Sequence, residues 1–279
     1  SNAKAQAANF PFCTIDPNVG VVEVPDHRLQ RLAEIVKTKK IVPAIVEFID
    51  IAGIVKGASQ GEGLGNKFLA NIRETDAIIH IFRLFEDANV IHVNGNVSPK
   101  QDIEIINTEL ILADIDSLTK QIDNLRKKAK GQDKVAMAQL SLAERILPIL
   151  EGGQLANTVE LSIEEKESIK QLQLITSKPV LFVGNISEDQ IKTIDEAAIA
   201  KELGLPSIIT VCAKVEAELA QLSEEDSKPF LEEYGLKESG LKRIIQAGYD
   251  LLGLQTYFTA GEIEARAWTV KKGATAPQA

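Results

Sequence analysis

AIVEFIDIAGIVKGASQGEGLGNKFLANIRETDAIIHIF, residues 44–82, sets the fold class. Its opening AIVEFID (44–50) follows Pro43, is rich in β-branched and apolar residues, and reads as a strand ending in a carboxylate at Asp50. Gly53, Gly57, Gly61, Gly63 and Gly65 interrupt the pattern, residues 66–74 look helical, and AIIHIF (77–82) supplies a second apolar strand. Strand, loop, helix, strand is the rhythm of a parallel α/β sheet.

The same rhythm extends outward. VGVVEV (19–24) precedes it as a strand, and PVLFVGN (179–185) and SIITVCA (207–213) follow as buried strands around a helical stretch at 194–203. Between the two halves, Ile111, Ile115, Leu118, Ile122 and Leu125 recur in steps of four and three, which predicts a long helix with a heptad seam. After a polar turn at Gly131-Gln132-Asp133, Ala136, Leu140, Ala143, Leu147 and Leu150 repeat those steps, so the two helices form an antiparallel hairpin. Pro148 is expected to kink or end the second helix. Ser162-x-x-Glu165 has the form of a capping box and opens another helix running toward Lys178-Pro179. TYFTAGEIEARAWTV (256–270) alternates about a glycine and predicts a β-hairpin at the start of a small further domain.

Composition narrows the function classes. Of 279 residues, 44% are hydrophobic and 25% charged, which suits a chain with a substantial core. A net charge of -9 disfavours nonspecific attraction to nucleic acid or anionic lipid, leaving only a local basic patch for such contacts. Cys13 and Cys212 are far apart and form neither a disulfide framework nor a zinc motif, which favours a reducing, cytoplasmic setting. No apolar run is long enough to span a bilayer, so no membrane partner is expected. Ser1-Asn2-Ala3 reads as the remnant of an expression tag.

Two loops carry candidate chemistry. Asp50-Ile51-Ala52-Gly53 fits the DxxG pattern of nucleotide switches, where the carboxylate holds the magnesium shell and the glycine N–H meets the γ-phosphate. The same four residues also suit a plain strand end with a glycine turn. Asn185-Ile186-Ser187-Glu188 follows an apolar strand, where switch proteins place a base-reading Asn, but Glu188 stands where an Asp would accept from guanine. An Asn-Ser turn capping a helix is the competing reading.

Together NFPFCTIDPNVG (9–20), DIAGIVKGASQGEGLGNKFLANIRETDAI (50–78), NISE (185–188) and LQTYFTAGEIEARAWTV (254–270) closely resemble the YchF family of Obg-like ATPases, over nearly the whole chain. The resemblance implies an α/β, Ras-like P-loop NTPase sheet with an inserted antiparallel coiled coil, followed by the start of a β-grasp, ubiquitin-like TGS domain. Its expected limits are 4–100 and 172–253 for the nucleotide domain, 101–171 for the coiled coil, and 254–279 for the TGS-like start. It also implies ATP or GTP with Mg2+ as ligands and the ribosome as partner, in a monomer. Carried over by position, Thr14 joins the magnesium shell, with Asp50 acting through water. Asp50 and Gly53 form the second switch, Asn185, Ile186 and Glu188 the base site, and Cys212-Ala213 the loop packing against the base. The family's NxxE form is associated with ATP. Ile54 occupies the position where Ras-type enzymes carry a water-orienting Gln.

Other polar residues have simpler explanations. His80 lies in an apolar strand and reads as a packed residue, and His92 as structural. Arg126, Lys127, Lys128 and Lys130 gather at the expected coiled-coil tip, where the helix dipole favours cations and where ribosomal RNA phosphate is the sharper expectation. No GxxxxGK[ST] pattern occurs in the sequence. Lacking that phosphate nest, the sheet is expected to be incomplete and these 279 residues alone to hydrolyse nucleotide poorly. Asp50 and Asn185 are expected at neighbouring carboxyl ends of one parallel sheet, facing a shared crevice.

Overall fold

The computed structural model describes residues 18–50, 64–87 and 97–278. Strand β1 (Asn18–Glu23) leads into helix α1 (His27–Val36), which Asp26 caps by accepting from the Arg28 N–H. A two-residue strand β2 (Ile41–Val42) and strand β3 (Ile45–Asp50) follow. Helix α2 (Leu64–Glu74) and strand β4 (Ile78–Arg83) complete the first half.

The long interruption is helical, as its periodicity requires. Helix α3 (Pro99–Ala129) starts with Pro99, whose missing N–H costs nothing in a first turn. Asp133 caps α4 (Lys134–Glu151) through the N–H groups of Val135 and Ala136. Leu118, Ala143, Ile146 and Leu150 of the two helices are almost wholly buried in one cluster. On α4 the buried face is wider than the expected heptad stripe and takes in Leu142 and Ile146, because α4 packs against α3 and also against α5 (Ile163–Leu172). The Ser162–Glu165 capping box opens α5 as expected. Pro148 is tolerated in the last turn of α4, on its exposed side, and the helix ends three residues later.

The α/β pattern then resumes with β5 (Val180–Asn185), α6 (Glu196–Leu203), β6 (Ile209–Val211), α7 (Ala213–Leu219), α8 (Glu224–Tyr234) and α9 (Gly240–Leu251). The hairpin β7 (Leu254–Ala260) and β8 (Ala265–Lys271) forms where the alternating pattern places it.

Strands β4, β5 and β6 form a parallel sheet, with Arg83 opposite Asn185 and Asn185 opposite Val211. The expectation of one parallel sheet carrying both Asp50 and Asn185 is not met. Strand β3 pairs antiparallel with β1, placing Asp50 opposite Asn18, and no described strand bonds to both β3 and β4. The physical reason is that a strand–helix–strand rhythm fixes direction but leaves adjacency open, since a crossover can skip a position in the sheet.

The third sheet runs β2-β8-β7 and joins the end of the described chain to its beginning. Ala265 donates its N–H to the Lys40 carbonyl, and Thr38 donates its hydroxyl to the Ile263 carbonyl. Lys40 and Arg266 flank Glu264, whose carboxyl they hold down at about 2, the Arg266 hydrogen bond acting most strongly. Beneath the clasp, Val24, Leu29, Ala33, Ile245, Tyr249, Ala265 and Ala267 share one core.

His80 stands opposite Phe182 in the β4–β5 register, with ring centroids 5.8 Å apart. Burial lowers its pKa from 6.5 to about 4, against a weaker upward pull from Asp102. Between those values the unfolded chain binds a proton that the folded chain refuses. The stabilisation is therefore whole above pH 6.5 and is lost as pH falls toward 4. Chemical denaturation across that range should show a decline reaching about 3 kcal/mol, and His80→Phe should flatten it.

Candidate nucleotide site

Near the carboxyl end of β5, Gly184 leaves room for the side chain of Leu84, the residue after β4. A Cβ there would lie 2.4 Å from Leu84 Cδ1. The Leu84 N–H instead donates to the Asn185 carbonyl at 2.8 Å, which fixes the backbone under the candidate base-reading residue.

The Asn185 side chain is fixed from the other direction. Its Oδ1 accepts from the N–H of Ala213, the first residue of α7, at 3.1 Å. That bond spends the acceptor and leaves the Nδ2 amide as a donor with no partner among the described residues. Ile186 is buried against Cys212, Val215 and Leu219, and its N–H donates to the Val211 carbonyl. Ser187 donates from both its N–H and its hydroxyl to Gln190 Oε1, while Gln190 Nε2 reaches the Leu84 carbonyl at 3.3 Å. The loop is thus braced to both β4 and β6.

Glu188 lies within the same frame. It forms a 2.7 Å ion pair with Lys214 and accepts from the Tyr234 hydroxyl at 3.1 Å. The Lys214 bond first, and the Tyr234 bond second, hold its carboxyl below the usual glutamate range. The Lys214 ammonium is raised by the same contact, so both partners are charged near neutrality.

The structure therefore gathers Asn185, Ile186, Glu188, Cys212 and Ala213 at one end of the β5–β6 pair. Asp50 is exposed at the end of β3, in a different sheet. Thr14, Gly53, Ile54 and His92 lie outside the described residues. Among the described residues no group of three His, Cys, Asp or Glu side chains is placed to hold a metal. Sequence reasoning missed Lys214 and Tyr234. Lys214 directly follows Cys212-Ala213 and could have been included, but Tyr234 is 46 positions from Glu188 and carries no local signal.

A recess of about 400 Å³ opens beside Ile186 and Cys212, lined by Asp195, Glu196, Glu216 and Arg243 among others. Its polar groups already serve the fold. Asp195 caps α6, Glu216 caps α9 through Gly240 and Leu241, and Glu196 bonds Thr210 and Arg243. An acidic lining of this kind disfavours a phosphate.

At the tip of the α3–α4 hairpin, Arg126 is bound by Glu144 at 2.8 Å. Lys127, Lys128 and Lys130 are exposed and have no ion-pair partner among the described residues. The basic patch is therefore a lysine patch, with Arg126 committed to joining the two helices.

Comparison with known proteins gives this arrangement its context. A family model described as 50S ribosome-binding GTPase matches residues 1–137, and one described as a protein of unknown function (DUF933) matches 254–279. The Escherichia coli O157:H7 protein named ribosome-binding ATPase YchF is 52% identical across all of this chain and 78% of its own length. The chain belongs to the YchF family. The YchF protein of Bacillus subtilis strain 168 matches equally, at 52% identity over 100% of this chain and 78% of its own length. The solved structure of the Schizosaccharomyces pombe YchF GTPase superposes with a TM-score of 0.79 at 36% identity, covering 97% of this chain and 75% of that one. The α/β P-loop GTPase fold expected from the sequence is therefore the fold of the chain. No helix among the described residues is long and apolar enough to cross a membrane.

Proposed function

We propose that the protein is a cytoplasmic, monomeric, ribosome-associated nucleotide switch that hydrolyses ATP, with GTP as a second substrate. One observation carries the reading: Asn185 has its acceptor tied to the start of α7 and its amide donor left open beside the Cys212-Ala213 loop. An amide held in that way can donate to a purine ring nitrogen without first being ordered, which lowers the entropic cost of binding. Asp50 and Thr14 would hold magnesium, Asp50 through water. When bound, the ion supplies charge neutralisation at the phosphates. In the domain reading that goes with this, 4–100 and 172–253 bind nucleotide, 101–171 is the arm, and 254–279 begins the TGS-like part.

Asn185→Ala should weaken ATP binding about tenfold, as expected when an uncharged, pre-oriented donor is lost. Titration with a fluorescent ATP analogue measures it, and unchanged affinity would remove Asn185 from the base site. A second reading, a non-catalytic ribosome or RNA-binding module, is favoured by the exposed lysines of the tip. The two are separated by ribosome co-sedimentation with and without nucleotide. A switch binds differently in the two conditions, and a plain module does not. In either case reversing Lys127 and Lys128 to Glu should reduce the pelleted fraction.

A further inference from the structure

Both oxygens of Glu188 are engaged: Oε2 by Lys214 Nζ at 2.7 Å and Oε1 by the Tyr234 hydroxyl at 3.1 Å. The two partners come from different helices. Lys214 is the second residue of α7, beside the Ala213 N–H that holds Asn185. Tyr234 is the last residue of α8, which Gly235 ends in a left-handed conformation at φ 72°. Its ring packs on Phe230 with centroids 5.3 Å apart and belongs to the cluster under Ile186 and Cys212. The phenol is thus delivered to Glu188 by a packed helix.

We propose that Tyr234 and Lys214 are specificity-determining positioning residues, which hold the Glu188 carboxylate off the purine edge and so tilt the site toward adenine. The inference rests on the base-site reading of Asn185. Its chemistry follows from the two purines. Guanine presents two adjacent donors, N1–H and the N2 amine, and an ionised carboxylate facing them with both oxygens rewards guanine strongly. Adenine presents an acceptor, N1, in that place, and a free carboxylate facing it is repulsive. A glutamate carboxyl is ionised near neutrality even without such partners, so left unheld Glu188 would favour guanine. With one oxygen on an ammonium and the other on a phenol, its charge is compensated and turned toward α7 and α8. Rejection of the wrong base by a single polar group is the kind of discrimination in which leaving that group unpaired weighs most.

The test is a pair of titrations with mant-ATP and mant-GTP, read as the ratio of the two dissociation constants. Tyr234→Phe keeps the packed ring and removes only the hydroxyl, and Lys214→Met keeps most of the stem. Each should move the ratio toward guanine by about tenfold, the order of one hydrogen bond to a charged acceptor. In a Glu188→Ala background neither change should move it, because the group they position is gone. A ratio unmoved by Tyr234→Phe and Lys214→Met overturns the proposal, as does a shift of equal size in the Glu188→Ala background. If the unsubstituted protein binds neither nucleotide, the base-site reading itself falls and takes the proposal with it, an outcome distinct from a protein that binds both with a fixed ratio.

Discussion

Replacing Asp114 with alanine should destabilise the protein by about 3–5 kcal/mol, the range for removing one member of a buried ion pair. Asp114 lies on α3 with a fully buried side chain. It accepts from the Ile175 N–H at 3.0 Å, from the Thr176 N–H and hydroxyl at 2.7 Å each, and from Arg73 Nη1 at 3.0 Å. Arg73 also donates to the Ala113 and Gln173 carbonyls, and Lys178 donates to the Arg73 carbonyl, so α2, α3 and the turn at Ile175–Ser177 meet on one carboxylate. Alanine would strand an arginine and three other donors at a place water cannot easily reach. Asp114→Asn tests the electrostatic part, because its amide group would face donors it cannot accept from. The check is the urea midpoint at pH 7. A loss below about 1 kcal/mol for Asp114→Ala would show that the node relaxes without it.

Leu118→Ala is the second large effect, at about 2–5 kcal/mol. Leu118 has no exposed surface and sits in the middle of the α3 seam, with Ala143 and Ile146 of α4 equally enclosed. A cavity there cannot fill from solvent, and the facing helix is tied by the Arg126–Glu144 bond at the tip. Ile115 belongs to the same stripe but is only partly buried, so Ile115→Ala should cost distinctly less. Denaturation of both variants in parallel measures the difference. Equal losses would mean that the hairpin is held by something other than its seam.

These two cases also show what the sequence discloses. Leu118 was legible because a heptad period is local: four and three residues away lie the side chains that share its face. Asp114, four positions from it, was not. Nothing in its neighbourhood marks a buried carboxylate, and its partners at 73, 175 and 176 come from distant parts of the chain. The candidate site divides the same way. Asn185 and Glu188 were found because an apolar strand ending in a polar loop is a local pattern, and Cys212-Ala213 because the likeness to the YchF family marks it. Tyr234, 46 positions from Glu188, was beyond any window. Most strands were found to within two residues, although β2 was not, and the β7–β8 hairpin was anticipated from its pattern; that β3 and β4 lie in separate sheets was not, since strand adjacency is decided by packing and not by the run of side chains within one strand.

The short pairing of Ile41 and Val42 with Ala265 and Arg266 has a consequence for how the molecule comes to be made. At about 5–20 residues emerging per second, the early segment must wait some tens of seconds for the partner that covers it. The α3–α4 hairpin, whose contacts are local, can close within that interval. The nascent chain is therefore expected to carry a finished helical arm while α1 and β2 still lack the cover that β8 supplies, which they gain only once residues 265 and 266 have been made.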